Sequence, residues 1–176
     1  MLKLVRKLAS SIYHGAMFSF YERLLKSHNR NIFLSISHGD KCVLKNPRYI
    51  SDCSNIKLGS HVYINHGLIA LSYANISIGD YTMFGPNVML LTSGHDPTLV
   101  GKDFNASKII NAIKIGKNCW VGAGVIIMPG TTIGDGAIVG AGSVVTKDIP
   151  PWTIVAGNPA RFLKARVLSD YASHEF

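Results

Sequence analysis

From residue 113 onward an aliphatic side chain returns at every sixth position: Ile115, Val121, Ile127, Ile133, Val139 and Val145. Four positions after each of the first five stands a small or β-branched residue, namely Cys119, Val125, Thr131, Ala137 and Ser143. Glycine follows the aliphatic position at Gly116, Gly122, Gly134 and Gly140. A period of six fits neither the helical repeat nor the alternation of a simple strand. It fits a prism with three flat faces, each a short strand followed by a turn. The repeated aliphatic then points inward and stacks on its equivalent one coil away, at the strand spacing of about 4.8 Å. Glycine serves the tight turns, where φ must often be positive. Six matches in phase specify a mostly β chain, a parallel β-solenoid, whatever its function.

An earlier block has the same rhythm with a slip. Leu58, Ile64 and Ala70 share one phase, and Ile78, Phe84 and Leu90 resume it two residues late, which implies a small bulge or loop near residues 72–74. Between Leu91 and Ile113 the rhythm stops. The stretch TSGHDPTLVGKDFNASKIINA reads as a loop extruded from the solenoid at about residues 93–112, and long loops inside compact folds usually carry function. Near the start, Leu4, Leu8, Ile12, Ala16, Phe20 and Leu24 fall four apart, the spacing of an amphipathic helix over residues 2–26. The chain thus divides into a basic N-terminal segment (1–30), a solenoid (31–165) and a tail (166–176). The closing run ARFLKARVLSDYASHEF is expected to form a short helix or a loosely attached end.

A chain of 176 residues with 47% hydrophobic and 16% charged side chains is no disordered polymer and can bury a core as one domain. Its formal charge of +8 is uneven: Lys3, Arg6, Lys7, Arg23, Lys26 and Arg30 face only Glu22 within the first thirty residues. Such a segment suits an anionic partner, whether membrane surface, phosphorylated substrate or nucleic acid, and equally suits a plain solvated helix face. Cys42, Cys53 and Cys119 lack metal spacing and read as small buried hydrophobes in a reducing compartment. No apolar run has the length of a membrane span. The basic opening imitates a signal peptide, but Ser10, Ser11, His14 and Ser19 interrupt its apolar stretch, so it is expected to be retained and the protein cytoplasmic.

The pieces NIKLGSHVYINHG, ISIGDYTMFGPNVMLLTSGHD, IKIGKNCWVGAGVIIMPG and VGAGSVVTKDIPPWTIVAGNPAR together resemble the hexapeptide-repeat acetyltransferases. The likeness covers roughly residues 50–165 and is nearest the branch of galactoside, maltose and polysaccharide O-acetyltransferases. It implies a left-handed β-helix; physics alone favours right-handed parallel crossovers, so the hand rests on the resemblance. It also implies a homotrimer with active sites between subunits, acetyl-CoA as donor co-substrate, a saccharide acceptor and no metal. The histidine of T-x-G-H is the family's general base, and here that residue is His95. A sugar hydroxyl is a poor nucleophile, whereas a thioester is already activated. The protein must therefore supply proton removal, a task suited to imidazole and worth roughly 10²–10⁴ in rate.

On the acceptor side the resemblance points to Asn65, with Ser51 and Tyr73 as further polar or stacking positions. Where galactoside-type relatives carry adjacent acids at the slip, this chain has Ser72 and Tyr73, and it lacks their acidic N-terminal motif. On the donor side it points to Trp120 and Ala123 for the pantetheine arm, Ala141, Thr146 and Lys147 further along, and Arg161 with Lys164 near the phosphates, where cations answer the charge. Trp120 precedes the inward Val121, so strand alternation turns it outward. The implied activity is O-acetylation of a saccharide, a precursor of bacterial surface polysaccharide, with residues 1–30 held near a membrane and no nucleic acid bound. Other readings are transfer to an amine of a sugar or sugar nucleotide, a non-catalytic trimeric scaffold, and a γ-type carbonic anhydrase. The last draws on the H-x4-H pair His61 and His66, but in such enzymes the lone histidine precedes the pair, whereas His95 follows it.

Overall fold

Each six-residue repeat folds into a strand of two or three residues and a corner, because alternate side chains turn inward, one in most strands and two in strands such as Ile56–Leu58, while their neighbours face out. The computed structural model describes Ser27, residues 29–98 and residues 107–167. The chain divides into two units, Met1–Leu34 and Ser35–Phe176. Of the first, Ser27 and residues 29–34 are helical; the amphipathic helix expected over residues 2–26 lies outside the described residues. Among the described residues no helix is long and apolar enough to cross a membrane.

The second unit is a parallel β-solenoid with three sheets. The first sheet stacks Ser37–His38, Ile56–Leu58, Ile76–Ile78, Ile113–Ile115 and Thr132–Ile133. The second stacks Val43–Leu44, Tyr63–Ile64, Met83–Phe84, Trp120–Val121, Ile138–Val139 and Thr153–Ala156. The third stacks Tyr49–Ile50, Ile69–Leu71, Met89–Leu91, Ile126–Ile127 and Val144–Val145. The chain visits the sheets in that order and climbs one coil per circuit; Ile149, bridged to Ile133, and Thr153–Ala156 begin a sixth. The phased aliphatics Ile115, Val121, Ile127, Ile133, Val139 and Val145 are all buried, and so are Ile64, Ile78, Phe84 and Leu90 of the earlier block. Each contributes about 1.5–3 kcal/mol by leaving water.

The phase slip has a physical form. Leu58 pairs with Ile78, twenty positions on, whereas Ile115 pairs with Ile133, eighteen positions on. The longer coils widen at the corner between the third and first sheets, and buried hydroxyls bind the widened backbone. Ser72 Oγ accepts from Asp52 N at 3.0 Å and donates to Asp52 O at 2.6 Å, while Thr92 Oγ1 donates to Leu71 O and accepts from Ala74 N.

The excursion after the third coil leaves from this corner. It begins not as irregular loop but as an antiparallel ladder in which Ser93–His95 pairs with Lys108–Ile110. A chain that departs and returns at one corner brings its two limbs side by side, so backbone pairing satisfies both. The end of the solenoid also departs from expectation. Arg161–Ala165 is a strand antiparallel to Thr153–Ala156 rather than a helix, and it covers the C-terminal edge of the second sheet. Beyond it, Arg166 Nη1 donates to Asn118 O at 2.8 Å and Gly136 O at 2.9 Å.

The outward faces differ. The first sheet presents Ser37, Lys57, Ser77, Lys114 and Thr132, all exposed. The second presents Val43, Tyr63, Met83, Trp120, Ile138 and Ile154 in register, and the third Tyr49, Ile69, Met89, Ile126 and Val144. Two of the three faces are therefore apolar.

Candidate active site

His95 ends the outgoing limb of the excursion and is exposed. Its Nδ1 stands 3.2 Å from Oγ of Ser107, which precedes the returning limb, and Asp96 N donates to Ser107 O at 2.7 Å. The neighbouring carboxylate of Asp96 accepts from the hydroxyl and backbone N–H of Thr98, and these bonds, the hydroxyl's first, hold its carboxyl below the usual range. A cleft of about 350 Å³ lies between His95, Ile109 and Asn111 on the excursion and Met128, Pro129 and Thr146 on the solenoid wall. The structure thus brings His95 and Thr146, fifty-one positions apart in sequence, to one cavity. Lys147, the next residue, lines a separate cleft of about 280 Å³ with Arg161, Phe162 and Pro150. Lys164 is exposed on the same strand but does not line that cleft.

A second group of candidates stands at another edge of the prism. Trp120, 55% exposed, faces outward between Met83 and Ile138 on the second sheet. At the corner that follows, Ala123 and Ala141 stack one coil apart through Gly142 N to Ala123 O at 2.8 Å. Gly124 and Gly142 hold φ of +66° and +70°, and a Cβ on either would meet nothing within 4 Å. The result is a smooth, exposed ledge of small residues. Asn65 occupies the same corner in an earlier coil, with its N donating to Phe84 O and its Oδ1 accepting from His66 N.

Two acceptor-side candidates have structural partners. Ser51 Oγ accepts from Ser72 N at 2.8 Å, so this hydroxyl serves the widened corner. Tyr73, 49% exposed, carries the ammonium of Lys108 at 4.0 Å above its ring centroid. The sorted picture is that Ser51, Tyr73, His95, Thr146 and Lys147 follow the third sheet, whereas Asn65, Trp120, Ala123 and Ala141 follow or flank the end of the second. The apolar face of the third sheet separates the two groups, and one chain does not bring them together.

Ser107 and Lys108 escaped the sequence reading. Both sit in the non-periodic stretch, and their places opposite His95 depend on an antiparallel register that no short-range pattern specifies. Of the histidines once weighed as a metal pair, His61 stacks on Tyr81 with centroids 4.5 Å apart and His66 stands at the next corner. Among the described residues no three His, Cys, Asp or Glu side chains gather to hold a metal.

Comparison with known proteins agrees with this architecture. Residues 112–147 match the family model described as bacterial transferase hexapeptide (six repeats). The chain is 52% identical over 112 residues to a sophorolipid acetyltransferase of Starmerella bombicola, covering 62% of this chain and 42% of that one. It is 39% identical over 138 residues to the galactoside O-acetyltransferase of Escherichia coli, covering 78% of this chain and 66% of that one. The chain thus spans less than two thirds of either relative. Among solved structures, a hexapeptide-repeat acetyltransferase of Vibrio cholerae complexed with acetyl-CoA superposes with a TM-score of 0.73 at 32% identity, covering 77% of this chain and 74% of that one.

Proposed function

This chain belongs to the hexapeptide-repeat acetyltransferase family, and on that premise we propose that it transfers an acetyl group from acetyl-CoA to a hydroxyl of a saccharide. The observation that carries the proposal is the cleft shared by His95 and Thr146, together with the separate cleft that the next residue, Lys147, lines with Arg161. The chain step from Thr146 to Lys147 thus links a cleft that holds an imidazole to one that holds two cations.

The donor thioester supplies an activated acyl carbon. The chain must hold the donor, orient the acceptor and move one proton. In the tautomer in which Nδ1–H donates to Ser107 Oγ, Nε2 of His95 carries the lone pair and takes the proton of the attacking hydroxyl. As the C–O bond forms and the C–S bond breaks, that proton returns to the leaving sulfur, and no acyl-enzyme is needed. The Ala123–Ala141 ledge, with open space above Gly124 and Gly142, fits a slender pantetheine arm beside Trp120. Lys147, Arg161 and Lys164 answer the phosphates. On the acceptor side Tyr73 presents a ring at the corner that the Ser51 hydroxyl holds, and Asn65 presents an amide at the other edge, beside the ledge.

A homotrimer completes the site. Two apolar faces and one polar face suit a closed ring in which the second-sheet side of one copy packs against the third-sheet side of the next, a heterologous contact. Such packing would bring the ledge beside Trp120 on one copy to the His95 cleft of its neighbour. We further propose that the acceptor is a precursor of bacterial surface polysaccharide and that residues 1–30, cationic and apolar, hold the enzyme at the cytoplasmic face of an anionic membrane. Deleting residues 1–30 should abolish binding to anionic vesicles; unchanged binding removes the membrane from the proposal. The transfer itself is tested by incubating the protein with acetyl-CoA and saccharides and identifying acetylated sugar by NMR. Acetyl-CoA consumed only when a sugar is present, with an O-acetyl ester formed, supports it; an N-acetyl product would move the acceptor to an amine.

A further inference from the structure

The two limbs of the excursion place His95 directly opposite Lys108. Directly opposed residues of an antiparallel pair project on the same side, with Cβ atoms roughly 5 Å apart. Lys108 is thus the residue paired with the base across the ladder, with its ammonium on Tyr73 while the imidazole meets Ser107. Its ammonium is not left to wander, because it lies 4.0 Å above the ring centroid of Tyr73, which the widened corner holds at the foot of the excursion. Lys108 and His95 are exposed, and Tyr73 is half-exposed. Among the described residues no carboxylate stands within ion-pair distance of Lys108, and the nearby Asp96 is engaged by Thr98. A ring face occupies one side of an ammonium and leaves N–H donors for another ligand. It also restricts a long, flexible stem, which reduces the ordering cost when that ligand binds.

We infer that the acceptor carries an anionic group, a phosphate or a carboxylate, near its reacting hydroxyl, and that Lys108, steadied by Tyr73, recognises it. This deepens the acyl-transfer reading and rests on it for the reacting hydroxyl. A lysine stem laid on a tyrosine packs equally well anywhere on a surface; its place across the ladder from His95 sets the charge where the acceptor must enter. Lys108 is thus a specificity-determining residue, and Tyr73 positions it.

The test compares glucose, glucuronate and glucose 6-phosphate as acceptors for the wild type, Lys108→Met, Lys108→Arg and Tyr73→Ala. The wild type is expected to prefer an anionic sugar over glucose by about tenfold or more in kcat/KM, because a charge-assisted hydrogen bond is worth roughly that. Lys108→Met should remove the preference, mainly through KM, Lys108→Arg should retain most of it, and Tyr73→Ala should reduce it. Which of the two anionic sugars is favoured separates phosphate from carboxylate. Equal use of all three sugars, or a preference that survives in Lys108→Met, overturns the inference. Should no sugar accept an acyl group, the acyl-transfer reading fails separately. Calorimetric titration of the same sugars then decides the role of Lys108: tighter anionic binding in the wild type alone supports it, and equal affinities for wild type and Lys108→Met overturn it.

Discussion

Across the neck of the excursion, the hydroxyl of Ser107 stands 3.2 Å from Nδ1 of His95. The pair joins two limbs that the antiparallel ladder already holds in register, so the imidazole is oriented by a group outside its own strand. With His95 as the proposed base, Ser107→Ala should lower kcat about tenfold with little change in the KM of either substrate, since the lost bond orients the imidazole without touching a ligand. Ser107→Thr, which keeps the hydroxyl, should recover much of the loss. A fall seen mainly in KM would place Ser107 against the substrate instead.

The widened corner predicts a stability effect remote from chemistry. Ser72 is fully buried and its hydroxyl both accepts from and donates to the backbone of Asp52. Ser72→Ala strands two backbone groups and should cost about 1–3 kcal/mol in urea unfolding. A neutral result would mean that water replaces the hydroxyl.

Two glycines separated by one residue should respond differently to alanine. A Cβ at Gly122 would meet the backbone of Ala141 at 2.6 Å, whereas Gly124 has open space but a φ of +66°. Gly124→Ala should cost about 1–2 kcal/mol of backbone strain. Gly122→Ala must push one coil away from the next and should lower the melting temperature further. The opposite order would show that backbone conformation outweighs coil spacing.

Acid should loosen the solenoid partly through Asp80. Its carboxyl is held below the ordinary value of 3.8 first by the backbone N–H of Ser60 and then by Lys117, 3.2 Å away. A depressed folded value means that its contribution is complete above the unfolded value and is lost as pH falls through the folded one. Melting temperature should therefore decline through and below that range, and Asp80→Asn should be the flatter of the two profiles. Identical profiles would remove Asp80 from the acid response.

The sequence reading found the solenoid because burial repeats on a fixed period, and Ile115 through Val145 carry that period without interruption. It also placed Trp120 outward, since one alternation beside Val121 decides the matter. It did not reveal that the candidates fall on two edges, because that requires the coil to be closed first. Ser107 and Lys108 were hidden for the same reason: a ladder between limbs twelve or more residues apart has no local signature. The strand Arg161–Ala165 was misread because Ala, Arg, Leu and Lys favour helix, and the open sheet edge overrode that preference.

The most direct test of the central claim is coenzyme A thiol release from acetyl-CoA in the presence of saccharide acceptors, wild type against His95→Ala. Release that depends on the sugar and falls by a factor of roughly 10² or more in the variant, with the fold intact by circular dichroism, is the result predicted for a general base. Equal release by both proteins would contradict it and leave the imidazole of His95 without a part in the reaction.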